Sequence, residues 1–331
     1  MSNGCICCTL REDLMIEVER LAKMNKFDYL LIESTGISEP IPVAQTFSFA
    51  TGDELFDLTK FSRLDTMVTV VDSMNFFKDF GSGDTIVDRS MTNDDEDRRT
   101  IVNLLTDQIE FANVILLNKT DLVSEQQLGL LEGMLTKLNP EAKIFRTDHG
   151  KIDPQEILNT GLFDYDEAEQ GAGWIKELNS EHTPETEEYG ISSFVFREHR
   201  PFHPERFWQF IQQYWPSNIV RSKGIFWLAS RPAQALLWSQ AGGSLKAGSF
   251  GRWWASVPQV ERTVSPSYIE SEAAITEKWD QKWGDRMNEL VIIGQDLDHE
   301  DVRLALELCL VSDLEVEAMA SGASFDDNWP I

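Results

Sequence analysis

Three of the chain's four cysteines, Cys5, Cys7 and Cys8, fall within four positions of one another. Thiolates packed this closely suit a soft or borderline metal ion such as Zn²⁺ or Cu(I). Three of them leave a fourth coordination position open, as a site that passes its metal on requires. The residues that follow read as a helix start: Thr9 can cap, Glu12 stands three residues on, and Leu14, Val18 and Leu21 continue one face. A helix N-terminus lowers a thiol's pKa and so favours the metal-binding thiolate. Two other readings stay open. Cys5 and Cys8 also have the C-x-x-C spacing of a redox pair, and free cysteines pack as small hydrophobes when buried.

A second group with chemical potential is Asn118-Lys119-Thr120-Asp121, directly after the apolar run Val114-Ile115-Leu116-Leu117. Guanine presents N1–H and N2–H donors side by side, and one carboxylate, Asp121, can accept both. Asn118 can brace the loop and read the purine edge, and the Lys119 stem can cover the base. The plainer alternative is a helix N-cap. A third group is Glu33, which ends the apolar run Phe27-Asp28-Tyr29-Leu30-Leu31-Ile32 and precedes Ser34-Thr35-Gly36. Ligands of open α/β sheets bind beyond the carboxyl ends of the strands. A carboxylate there can hold Mg²⁺ through water or orient an attacking water. The same residues also suit an ordinary strand-to-helix turn.

Elements must carry these groups. Residues 27–33, 66–72 (ending on Asp72), 114–117 and 143–146 read as strands, short apolar runs of the kind buried on both faces of a parallel sheet. Helices are expected at 98–111, with Ile101, Leu104, Leu105 and Ile109 inward, and at 124–138. Strand and helix alternating at this spacing mean βαβ units and a mainly parallel α/β sheet. Residues 164–189, rich in Glu, Gly and Thr, read as a linker between a domain at 1–163 and one at 190–320. All ten tryptophans lie after residue 173, which sets the second domain apart in composition. Strands are expected there at 190–197, 219–228, 233–239, 250–255 and 290–294, and helices at 204–214 and 298–310. Hairpin-spaced strands with a few helices make an α+β domain. His199 and His203 can ligate a metal but fit structural roles better, and Cys309 falls on the apolar face of the last helix, a core position.

The formal net charge is −27 over 331 residues, a surface that repels nucleic acid and anionic membranes. No run of about 18 apolar residues is present, so no membrane span is expected. Clustered cysteines without a disulfide framework point to a reducing compartment, the cytoplasm.

Taken together, Asn3-Gly4-Cys5-Ile6-Cys7-Cys8-Thr9, Glu33-Ser34-Thr35-Gly36 and Asn118-Lys119-Thr120-Asp121 resemble the motifs of the CobW-type GTPases. The chain is most like their zinc-metallochaperone branch, which further stretches such as 39–46, 64–72, 221–229 and 283–291 also resemble. The resemblance implies a P-loop GTPase-type parallel-sheet domain followed by a smaller CobW C-terminal α+β domain. It implies GTP, Mg²⁺ and Zn²⁺ as ligands and delivery of zinc or another divalent metal to client proteins, with homo-oligomers compatible. It places metal on Cys5, Cys7 and Cys8, guanine on Asn118, Lys119 and Asp121, and a catalytic carboxylate at Glu33. Family members carry a strand and a G-x-x-x-x-G-K-[ST] loop ahead of the cysteine motif, and the 331 residues contain no such pattern. Gly243-Ser244-Leu245-Lys246-Ala247-Gly248-Ser249 lacks Lys after its second Gly. The chain therefore reads as a member without its first strand and phosphate loop, whether by a misplaced start or a genuine truncation. It is expected to be a marginal fold and a poor GTPase. The alternative function is a non-hydrolytic zinc-binding or adaptor protein.

Overall fold

The computed structural model describes residues 11–48, 58–92, 95–170, 172–179 and 189–329. Cys5, Cys7, Cys8 and the expected helix cap Thr9 lie outside them. The chain divides into two compact units, Met1–Lys176 with Gly242–Ser244, and Glu177–Ala241 with Leu245–Ile331.

In the first unit the elements run α1 (Arg11–Lys23), α2 (Pro40–Ser48), β1 (Val68–Asp72), α3 (Phe76–Phe80), α4 (Ile101–Glu110), β2 (Val114–Asn118), α5 (Glu125–Leu138), β3 (Lys143–Arg146), α6 (Tyr165–Gln170) and the start of α7 (Gly173–Asn179). Thus α6 and α7 occupy part of the stretch expected to be a linker. The three strands form a parallel sheet in the order β1-β2-β3, with Asp72 opposite Asn118 and Leu117 opposite Arg146. As the middle strand, β2 is covered on both faces, and Val114, Ile115 and Leu117 are fully buried. An unbroken apolar run is what such a position demands.

The helices are set by local signals. In α5 a capping box joins Ser124 and Gln127, each side chain satisfying the other's backbone N–H. Leu128, Leu131, Met134, Leu135 and Leu138 recur at helical spacing and are buried. The end of α4 is held by Asn139, whose buried Nδ2 donates to the carbonyls of Ile109, Glu110 and Ala112 at 2.8–3.2 Å. Ile109 and Glu110 stand in the last turn of α4, whose carbonyls a helix end leaves without intrahelical partners, and Ala112 lies just beyond it. On α1, Leu14, Met15 and Val18 pack with Val43 and Phe47 of α2 and with Leu58.

The segment 27–33 is not the expected strand. It runs without strand pairing, and Phe27 is 61% and Leu31 72% exposed. The reason is one of neighbours. An apolar run becomes a buried strand only where an adjacent strand takes its backbone groups and other elements cover its faces. Among the described strands β1 pairs with β2 alone, and Val70 at its centre is itself 60% exposed.

The second unit contains β4 (Ile191–Glu198), α8 (Pro204–Gln213), β5 (Ile219–Phe226), β6 (Gln234–Ala241), β7 (Ser244–Arg252), α9 (Gln259–Arg262), α10 (Pro266–Glu277), β8 (Asn288–Gln295), α11 (His299–Leu308) and α12 (Asp313–Ala320). The sheet order is β4-β8-β5-β6-β7, and the last strand runs antiparallel to both β4 and β5. This is the expected α+β arrangement. The strand expected at 250–255 instead begins at Ser244 and ends at Arg252, and Trp254–Ser256 forms a 3₁₀ turn. The Asp285 carboxylate accepts the Trp254 and Ala255 amides at 2.7 and 2.8 Å, which turns the chain out of the sheet. Because 243–249 falls almost wholly within β7, it forms no phosphate loop.

Tryptophan builds this core. Trp227 and Trp238 are fully buried, and Phe202 stacks on Phe207 with centroids 3.9 Å apart. Near the C-terminus Trp329 packs against Phe207 and donates Nε1–H to the Pro204 carbonyl at 2.9 Å. His199 Nδ1 lies 2.8 Å from the Arg286 carbonyl, and His203 Nδ1 caps α8 through the Arg206 amide. Cys309 is buried, and burial pushes its thiol pKa up to about 11, so it is an inert core residue.

Candidate nucleotide-binding site

The parallel register puts two polar strand ends side by side: Asp72 ends β1 and Asn118 ends β2. Beyond Asn118 the chain turns sharply. Lys119 adopts the left-handed conformation (φ 62°, ψ 36°), and Thr120–Leu122 forms a 3₁₀ turn that carries Asp121 exposed on its surface. A non-glycine residue in that region is held against its intrinsic preference. The hold is visible. Lys119 O accepts the Leu122 amide at 3.1 Å, and the Thr120 amide and hydroxyl both donate to the Thr147 carbonyl, at 3.3 and 3.2 Å.

Asn118 is tied from three sides. Its Oδ1 accepts the Thr147 hydroxyl at 3.1 Å and the Gly150 amide at 3.0 Å, while its carbonyl accepts the amide and the hydroxyl of Ser73 at 3.0 and 2.7 Å. Thr147 is buried and also receives support from β2, its amide donating to the Leu117 carbonyl at 2.8 Å. The loop after β3 bends there through two consecutive left-handed residues, His149 (φ 51°) and Gly150 (φ 67°). Gly150 has open space around the position of a Cβ, so its glycine serves backbone conformation and not packing. No motif in the sequence singles out Thr147 or Gly150. The sequence signal was the polar run Thr147-Asp148-His149-Gly150 directly after a strand, which marks a turn without naming its partner.

Asp72 is the best-satisfied carboxylate of the group. Its Oδ1 accepts the amides of Met74 and Asn75 at 3.0 and 3.2 Å, and its Oδ2 accepts Asn75 Nδ2 and Lys119 Nζ, each at 2.8 Å. Partial burial opposes its ionisation. The hydrogen bonds from Lys119, Asn75 and Met74 outweigh that and hold its pKa below the usual carboxylate value.

Glu33 stands in exposed coil, with no hydrogen bond or ion pair to a described residue. The residues just after it are held firmly. Gln108 Nε2 donates to the carbonyls of Gly36 and Ser38 at 3.0 and 2.9 Å, and Arg99 Nη1 donates to the Ile37 carbonyl at 3.3 Å and to Glu39 at 3.4 Å. Three successive carbonyls are thus fixed by α4 and the residues preceding it. Among the described residues no cluster of three or more His, Cys, Asp or Glu side chains is placed to share a metal ion, and no helix is long and apolar enough to cross a membrane.

The chain can do one thing well at this place. It offers a rigid polar turn, at the C-terminal end of a central parallel strand, with an exposed carboxylate and a pinned lysine. Known proteins match the same stretch. Residues 1–146 match the CobW/HypB/UreG nucleotide-binding domain, and residues 191–310 match the cobalamin synthesis protein CobW C-terminal domain. A zinc-regulated GTPase metalloprotein activator from Dictyostelium discoideum is 44% identical over 96% of this chain, and the chain spans 66% of that relative, just under two thirds of its length. A zinc chaperone from Mycobacterium tuberculosis is 25% identical over 98% of this chain and 77% of its own. The crystal structure of a Zn(II)-bound YjiA GTPase from E. coli is similar at 22% identity and a TM-score of 0.36, over 92% of this chain and 78% of that one. With both family models matched in order along it, the chain belongs to the family that joins a CobW/HypB/UreG nucleotide-binding domain to a CobW C-terminal domain.

Proposed function

We propose that this chain is a GTP-dependent metallochaperone that delivers zinc or another divalent metal to client proteins in the cytoplasm. In this reading GTP hydrolysis is coupled to release of the metal from Cys5, Cys7 and Cys8. The observation that carries it is the Asn118–Asp121 turn, braced by Thr147 and Gly150 at the end of β2, on one chain with a three-thiolate motif. Asn118 orders the turn, Asp121 accepts the two guanine donors and Lys119 covers the base. The names of the Dictyostelium and Mycobacterium relatives, an activator and a zinc chaperone, support the metal-delivery half of the reading. Zinc is cargo here, and its thiolate donors match a borderline ion. Mg²⁺ is a hard ion that takes oxygen donors, and the exposed Glu33 carboxylate suits it through water.

The test has two arms. Changing Cys5, Cys7 and Cys8 together to Ser abolishes stoichiometric zinc in metal analysis of the purified protein, and a fully loaded triple variant would put the cargo site elsewhere. In the second arm Asp121→Asn turns an acceptor into a donor against guanine and shifts preference toward xanthine nucleotides. Equal affinity of the unmutated chain for GTP and ATP would sink the guanine reading. A second reading is a non-hydrolytic zinc-binding or adaptor protein. Phosphate release no faster than buffer, with zinc still bound, would select it.

A further inference from the structure

Lys119 is the least comfortable residue of the turn, yet its side chain is tied at both ends. Its backbone is left-handed, and its Nζ ends on Asp72 Oδ2 at 2.8 Å. The contact joins residues 47 apart in sequence, brought together because Asp72 and Asn118 face each other across β1 and β2. Stability alone does not account for it. The two side chains are 46% and 33% exposed, and ion pairs exposed to that degree contribute little to stability. What the pair does is geometric. A free lysine stem samples many rotamers, and ordering it costs conformational entropy. A stem whose ammonium is already anchored carries that cost before a ligand arrives.

The acceptor is itself immobile. Asp72 Oδ1 is taken by two backbone amides and Oδ2 is shared with Asn75 Nδ2, so the carboxylate cannot swing away with the lysine. We propose that Asp72 is a positioning residue for guanine recognition: by holding Lys119 Nζ it lays the lysine methylenes beside the Asn118–Asp121 turn as the apolar wall on which a purine ring rests. This inference rests on the nucleotide reading above. Asp72 touches no base in it and acts only through Lys119. Its chemistry favours planar, uncharged ring faces against the stem and leaves base identity to Asp121.

The experiment measures GDP and ADP binding by the full chain, with fluorescently labelled nucleotides, for Asp72→Asn, Lys119→Met, the double variant and Asn75→Ala. Asp72→Asn keeps an Oδ1 acceptor for the Met74 and Asn75 amides and removes the charge that holds Lys119. Asn75→Ala removes a bond to the same carboxylate and leaves the lysine pair in place, so it reports a merely structural loss. The expected result is a five- to tenfold weaker GDP affinity for Asp72→Asn and for Lys119→Met. The double variant should be no weaker than Lys119→Met alone, and Asn75→Ala should stay within twofold of the unmutated chain. Guanine-selective binding that Asp72→Asn leaves unchanged overturns the inference and spares the nucleotide reading. Multiplicative losses in the double variant, or a loss in Asn75→Ala as large as in Asp72→Asn, also overturn it. Failure of the unmutated chain to prefer GDP over ADP removes the nucleotide reading and the inference with it.

Discussion

Two stretches of this chain are written alike: Leu30-Leu31-Ile32-Glu33-Ser34 and Leu116-Leu117-Asn118-Lys119 both run from bulky apolar residues into a polar turn. In β2 the pattern lies between two parallel neighbours, its leucines are buried, and its turn is tied down by Ser73, Thr147 and Gly150. In 27–33 the backbone has no strand partner, Leu30 and Leu31 are 43% and 72% exposed, and Glu33 has no polar partner among the described residues. An apolar run specifies what it can become, while its neighbours decide whether it does. The difference also separates the two candidate site residues. Asn118 is part of a preorganised turn, whereas Glu33 stands in exposed coil just ahead of the fixed Gly36–Ser38 carbonyls.

The largest expected effect follows from burial. Leu117→Ala removes a fully buried side chain and should destabilise the first unit by about 2–5 kcal/mol, while Leu31→Ala should change stability by less than about 0.5 kcal/mol. Urea unfolding followed by hydrogen exchange of the β2 amides makes the comparison. Similar losses for the two would mean that 27–33 is packed in solution as β2 is.

A smaller effect is expected at the polar ends. Asn118→Ala leaves the Thr147 hydroxyl and the Gly150 amide without their acceptor and should cost about 1–3 kcal/mol. Glu33→Gln, which has no described bond to lose, should leave the unfolding midpoint where it is. Its effect belongs in phosphate release, if the carboxylate orients water, and a stability loss matching that of Asn118→Ala would show that Glu33 is already engaged.

The smallest effect is a pH dependence. Asp72 has its pKa lowered in the folded chain, so its contribution is present above the unfolded value of about 3.9 and fades as pH falls through the lower, folded one. Stability should therefore decline on acidification below about pH 4 by more in the unmutated chain than in Asp72→Asn. Parallel acid limbs for the unmutated chain and Asp72→Asn would mean that the Lys119 pair is not formed in solution.

Much of this was legible in the sequence, and the failures share a cause. Of the stripe Ile101, Leu104, Leu105 and Ile109, three are buried and Leu105 is half-buried, and the runs at 114–117 and 143–146 became adjacent parallel strands. The strand expected at 250–255 ended early because Asp285, some thirty positions away, captures two amides. The run at 27–33 met the same period and composition tests as β2 and still failed to pair, since neither test contains its neighbours.

Local pattern was enough to set the alternation of strand and helix, the turn at Asn118–Asp121 and the clustering of Cys5, Cys7 and Cys8. These follow from period, from turn chemistry and from the placement of side chains along one short stretch of backbone. That Thr147 and Gly150, 29 and 32 residues further on, brace Asn118, and that Asp72 reaches Lys119, came from how the strands assemble. Those contacts depend on strand register. A shift of one residue in the pairing of β1 with β2 moves every side chain to the opposite face, and no local property of either strand states which register wins until both pack against the same helices.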